Sequence, residues 1–147
     1  MAIDQSTSRD TQQLVVFSVG PTEYALPISS VQEIIRYAAP QPTASPLPWL
    51  TGVIGLRGSI IPVVDLAIRL GTEFQGRVVD EKSKIVIIEG DDMLAGVIVN
   101  GVEEVLTVPL DHIEPVPSSS APFIASIARI ETRLIMLLDA QQLIGDL

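Results

Sequence analysis

The apolar residues of this chain arrive in short blocks, and the blocks are the wrong length for anything but strands. VVFSV, VIGL, IIPVV, IVII and LIMLL are each closed off by Gly, Pro or charged residues. Val and Ile dominate them, and their branched side chains suit a pleated surface. Apolar runs of this length between turn signals read as strands. No helical pattern alternates with them, which argues against a parallel α/β sheet. The reading is all-β, with about ten short strands in two groups of about five. One short C-terminal helix follows, capped by Asp139 and ending near Gly145. With 147 residues the chain can bury a real core. Two barrels of about five strands are each too small to stand alone, so they must share that core. The approximate lobes are 13–71 and 84–139, with exchange of elements between them left open, and residues 1–12 read as a disordered polar arm.

The most informative stretch is Gly52–Gly71, GVIGLRGSIIPVVDLAIRLG. Val53–Leu56 and Ile60–Val64 flank Arg57-Gly58-Ser59. A two-residue Gly58-Ser59 loop fits a type II′ hairpin and puts Arg57 at the end of its strand. Pro62 donates no backbone hydrogen bond, so its strand should be an edge or carry a bulge. Asp65 and Glu33 are both candidate ion-pair partners for Arg57, and a bidentate carboxylate would explain Arg rather than Lys. Val31–Tyr37 is spaced for either a helix or a strand, and its residue types favour the strand. Ala38–Pro48 holds four prolines and admits neither a regular helix nor a central strand. Trp49 follows and reads as a plug of the core or of the lobe junction. Asn100-Gly101, between apolar runs, is the strongest short hairpin signal in the chain.

Several function classes fall away. The chain has no cysteine and one histidine, which excludes disulfides, thiolate chemistry and a histidine metal cluster. Its net charge of −9 disfavours nucleic acid. No apolar run approaches the ~18 residues of a membrane span, and the polar start carries no signal core, so the expected location is cytoplasmic without membrane insertion. Gly52, Gly55 and Gly58 are spaced GxxGxxG, which is not a dinucleotide fingerprint. His112 beside Asp111 lacks a nucleophile motif and reads as solvated, as do Glu103-Glu104. Ser118-Ser119-Ser120 reads as a flexible tip.

Tyr24-Ala25-Leu26-Pro27-Ile28, Val31-Gln32-Glu33-Ile34-Ile35, Gly52–Gly58, Ile61–Leu66, Gly96–Val102, Glu104-Val105-Leu106 and Leu137-Leu138-Asp139 follow one another in an order and spacing that resembles the CheW domain family. The resemblance covers about Gln13 to Leu147. It implies two SH3-like five-stranded β-barrel subdomains sharing one core, and a stand-alone, non-catalytic adaptor without cofactor or metal. Such an adaptor couples a CheA-type histidine kinase, through its regulatory domain, to the cytoplasmic tip of chemoreceptors in a sensory array. By motif, Val31, Glu33, Gly52 and Arg57 fall where the family has positions tied to receptor or kinase coupling. Gly55 replaces a usual Asn, and Asn100 a usual Asp. The alternatives are a small-ligand-binding β-barrel, a carboxylate enzyme, or an interaction module outside chemotaxis, as in pili-motility signalling.

Overall fold

The computed structural model describes residues 10–71, 79–117 and 122–147. The strands are β1 (Thr11–Val19), β2 (Thr22–Pro27), β3 (Val31–Arg36), β4 (Leu50–Leu56), β5 (Ser59–Asp65), β6 (Lys84–Glu89), β7 (Leu94–Val99), β8 (Gly101–Pro109), β9 (Ile113–Pro115), β10 (Ile124–Ile130) and β11 (Arg133–Leu138). Two short helices, α1 (Leu66–Arg69) and α2 (Ala140–Ile144), each follow a strand that ends in leucine or aspartate. Asp65 and Asp139 cap them, their carboxylates accepting from Ile68 N and Gln142 N. β1 begins at Thr11, so Thr11 and Gln12, read from the sequence as part of the arm, pair within the first strand. The serine tip at 118–120 lies outside the described residues.

The strands form a six-stranded sheet, β8-β1-β2-β11-β10-β9, and a five-stranded sheet, β3-β6-β7-β5-β4. Neither sheet is built from one half of the chain. The β1–β2 hairpin joins strands β8 to β11, while the β6–β7 hairpin joins β3, β4 and β5. In each sheet the hairpin's second strand runs parallel to the last strand before a helix, β2 to β11 and β7 to β5. The second half also supplies a sixth strand, the three-residue β9, between β8 and β10.

Two expectations are corrected here. Asn100-Gly101 is no hairpin, because β7 and β8 belong to different sheets. The Asn100 carboxamide oxygen instead accepts from Gly20 N at 2.7 Å, and Asn100 N donates to Ser18 O at 2.9 Å. The turn residue works as a pin where the chain crosses over. Asn100→Ala leaves the Gly20 donor unpaired in a partly buried place and costs about 1–2 kcal/mol, read from urea unfolding midpoints. Pro62 lies in β5, which is no edge strand and has partners on both sides. The parallel ladder to β7 starts only at Val63, so the missing N–H falls where β5 has no neighbour on that side. The register shift sits across the ladder, between Leu50 and Gly52 of β4.

Alternation explains the packing. On β6, Ile85 and Ile87 fill the interior of the five-stranded barrel, while Val86 and Ile88 turn to the core shared with the other sheet. On β1, Leu14 and Val16 fill the six-stranded barrel, while Phe17 and Val19 enter the shared core. Trp49, Leu143 and Ile144 complete that core. A fully buried Val, Ile or Leu contributes about 1.5–3 kcal/mol. The shared core, and no single turn, therefore holds the two sheets together.

Tyr24 is part of it, and burial pushes its phenol pKa up from 10.0. The folded state then holds that proton more tightly than the unfolded chain. The corresponding stability is intact below pH 10 and is lost as pH rises past it. Unfolding midpoints should fall above about pH 10 in the unsubstituted chain and fall less in Tyr24→Phe.

Candidate docking site at the seam of the five-stranded barrel

β3 and β4 are the two edge strands of the five-stranded sheet, so the barrel has an open seam between them. Glu33 lies on β3, just past a register shift against β6 that falls between Val31 and Glu33. Arg57 lies in the turn after β4. Its guanidinium grips the Glu33 carboxylate with both nitrogens: Nη1 donates to Oε1, and Nη2 donates to Oε2 at 3.1 Å. The fork therefore ties one edge of the sheet to the other. The hydrogen bond to Glu33, and then its charge, raise the Arg57 pKa further. Arg57 is cationic at any pH the protein meets.

The turn itself is displaced by one residue from the sequence reading. Leu56 pairs with Ser59, so the loop is Arg57-Gly58 and not Gly58-Ser59. Both central residues have positive φ, 51° and 83°, which is the type I′ pattern. A branched or bulky residue there is uncommon. Arg57 holds that conformation while its side chain reaches back to β3.

Asp65, the other candidate partner, is buried at the far end of β5, where it caps α1. Val31 opens β3 and packs partly against the shared core. Gly52 does not join the fork. It sits under the proline-rich segment, where Gln41 bridges to Val53 by two backbone hydrogen bonds of 2.8 and 2.9 Å. A side chain on Gly52 would run into the Gln41 carbonyl. Of the four residues singled out by motif, Glu33 and Arg57 touch, Val31 stands two positions away, and Gly52 has a backbone role. Gly55 faces open space, opposite Ile60, a residue that is 77 % exposed.

The six-stranded sheet carries a counterpart that sequence reasoning missed. β8 lies against β1 as β3 lies against β6. Val102 pairs with Phe17 and Glu104 with Val16 across a register shift, as Val31 pairs with Ile88 and Glu33 with Ile87. Glu104 is not simply solvated. Arg133 donates to it at 2.8 Å and forks onto Glu23 at 3.1 and 2.9 Å. Glu23 first, then Glu104, hold the Arg133 proton more firmly. The signal was present in the sequence as Val31-x-Glu33 and Val102-x-Glu104.

At the junction of the sheets lies an open hollow of about 350 Å³ bordered by Pro27, Ser30, Glu89, Asp91, Leu138 and Gln141. Ile28, between Pro27 of that border and β3, is an exposed large apolar residue. His112 is exposed in a short helical turn, 3.9 Å from Asp111. Among the described residues no group of His, Cys, Asp or Glu is placed to hold a metal ion. No helix among them is long and apolar enough to cross a membrane.

Residues 13–147 match the family described as CheW-like domain. The chain belongs to that family. A CheW-like relative, the chemotaxis protein CheW of Rhizobium meliloti (strain 1021), is 32% identical over 132 residues, spanning 87% of this chain and 84% of the relative. Protein PilI of Pseudomonas aeruginosa is 28% identical over 119 residues, 76% of this chain and 64% of that protein. The crystal structure of the scaffolding protein TtCheW from Thermoanaerobacter tengcongensis aligns with a TM-score of 0.83 at 31% identity, covering 91% of this chain and 88% of that one. The CheW-like fold accounts for both SH3-like barrels and for the core between them. Gly55 stands clear of the fork, and a Cβ there would meet nothing within 4 Å.

Proposed function

We propose that this chain is a non-catalytic adaptor that holds a CheA-type histidine kinase, by its regulatory domain, and the cytoplasmic tip of a chemoreceptor in a fixed relation. It works in the cytoplasm, recruited to receptor arrays. One observation carries the reading: the Arg57 guanidinium stands exposed at the surface while a fork onto Glu33 locks it across the barrel seam. Side chains fill both barrel interiors, which argues against a ligand-binding barrel. Val31, Glu33 and Arg57 form the coupling surface, and Gly52 holds the strap beside it. The junction hollow receives the receptor tip as an amphipathic helical hairpin, the groove mode of recognition.

The test is co-assembly. Purified protein is titrated with a CheA-type regulatory domain and a receptor tip fragment. Both should bind, and kinase activity in the ternary mixture should follow the receptor. Binding of neither, or turnover of a small substrate, overturns the proposal. The likeness to PilI favours a second reading, an array serving pili-driven motility. Tighter binding to the kinase of such a system than to a chemotaxis kinase would select it.

A further inference from the structure

α2 is only five residues long, far too short to be stable by itself. It is gripped on two sides. On one side stands Arg69, the last residue of α1. Its guanidinium is stacked between Trp49 and Phe123, 3.9 and 4.6 Å from their ring centres. Nε donates to Leu143 O at 3.2 Å, while Nη2 donates to Gln142 O at 3.3 Å and to Asp146 at 2.8 Å. One half-buried cation thus satisfies carbonyls that the end of α2 would leave open, with the charge sign that a helix C-terminus favours. Phe123 is itself tied to the helix start, since its carbonyl accepts from Asp139 N at 3.0 Å.

On the other side α2 forms a wall of the junction hollow. Gln141 Oε1 accepts from Asp91 N at 2.7 Å, and a Cβ on Gly90 would meet that same oxygen at 2.8 Å and Ile144 at 2.9 Å. The Gly90-Asp91 turn therefore follows the position of α2 with no slack. We infer that Arg69 is a positioning residue for the hollow: through α2 and Gln141 it sets the Gly90-Asp91 wall, and occupation of the hollow is felt in return at Trp49. This deepens the adaptor reading and rests on it only for the identity of the occupant.

The full chain is compared with Arg69→Met, Arg69→Lys and Gln141→Leu. Two readouts are taken: amide exchange at Asp91 and at residues 142–146, and emission of Trp49, the sole tryptophan, during titration with a Trp-free helical-hairpin peptide copying a receptor tip. In Arg69→Met, exchange should rise at Asp91 as well as in 142–146, and peptide affinity should fall about 10-fold. Arg69→Lys, which keeps the charge and loses the fork, should fall between. Gln141→Leu, which cuts the same link beyond α2, should raise exchange at Asp91 but not in 142–146, lower peptide affinity as Arg69→Met does, and lose the Trp49 response. Faster exchange confined to 142–146, with Asp91 unchanged, would overturn the inference and leave Arg69 a local cap. If Arg69→Met does not fold, Asp91 exchange in Arg69→Lys decides the same question. If the unsubstituted chain ignores the peptide while Asp91 responds to Arg69, the positioning role stands and the receptor-tip reading falls.

Discussion

Gly52→Ala melts about 9–15 °C below the unsubstituted chain. The added methyl would lie 2.7 Å from the Gln41 carbonyl carbon, closer still to its oxygen, and 3.2 Å from Pro40 Cβ. The main obstacle is backbone, so no side chain can swing away. Gly52 also has φ +156°, where other residues are strained. Relief requires lifting the strap off β4 and breaking both Gln41–Val53 hydrogen bonds. Those bonds are worth about 1 kcal/mol each, and overpacking adds about 1–3 kcal/mol. A total of about 3–5 kcal/mol, at about 3 °C per kcal/mol in a chain of this size, gives the stated shift. Gly55→Ala is the control: its methyl meets nothing within 4 Å, so its melting point should stay within about 2 °C. Thermal melts followed by circular dichroism check both. A Gly52→Ala protein that melts normally yet fails to bind partners would make Gly52 an interface residue instead.

How much was legible depends on whether the physics was local. Short Val/Ile blocks show their strands because alternation and turn residues are written within each block. Val31–Arg36 resolved to strand for the same reason. The Arg57–Glu33 pair was one of two candidates, and the sequence had no way to choose. The choice is made by sheet order, which brings β3 and β4 to opposite sides of one seam while burying Asp65 at the strand's far end. The hairpin slipped by one residue because Gly58 fits either turn type, and only the pairing of Leu56 with Ser59 fixes which residues bend. Asn100-Gly101 misled for a related reason. Its chemistry suits a tight turn, but Asn100 spends its side chain on Gly20, eighty positions away. Exchange of hairpins between the two halves is invisible to any local rule. It is also why the Glu104–Arg133 counterpart went unseen: its partners come from β2, β8 and β11.

Arg57→Ala and Glu33→Ala should each weaken partner binding about 10-fold or more while leaving the melting point nearly unchanged. The two halves of this expectation have different causes. The Arg57 side chain is 73 % exposed, so water screens the pair and solvates whichever partner remains. The fold, held by the shared core, does not depend on it. Under the proposed function a docking partner does, because it would meet a guanidinium already held in place by a carboxylate fork and need not order a long side chain on binding. Arg57→Gly separates backbone from side chain. It relieves the positive φ at the turn, so it should be at least as stable as Arg57→Ala and equally defective in coupling. Arg57→Lys retains the charge but not the fork, and should recover only part of the affinity. The exchanged pair Arg57→Glu with Glu33→Arg rebuilds attraction across the seam with the donors on the wrong edge. If that double variant couples the kinase normally, the fork acts only as a clasp and the partner does not read Arg57. If it binds as poorly as the single variants while melting normally, the partner reads the guanidinium where the turn presents it.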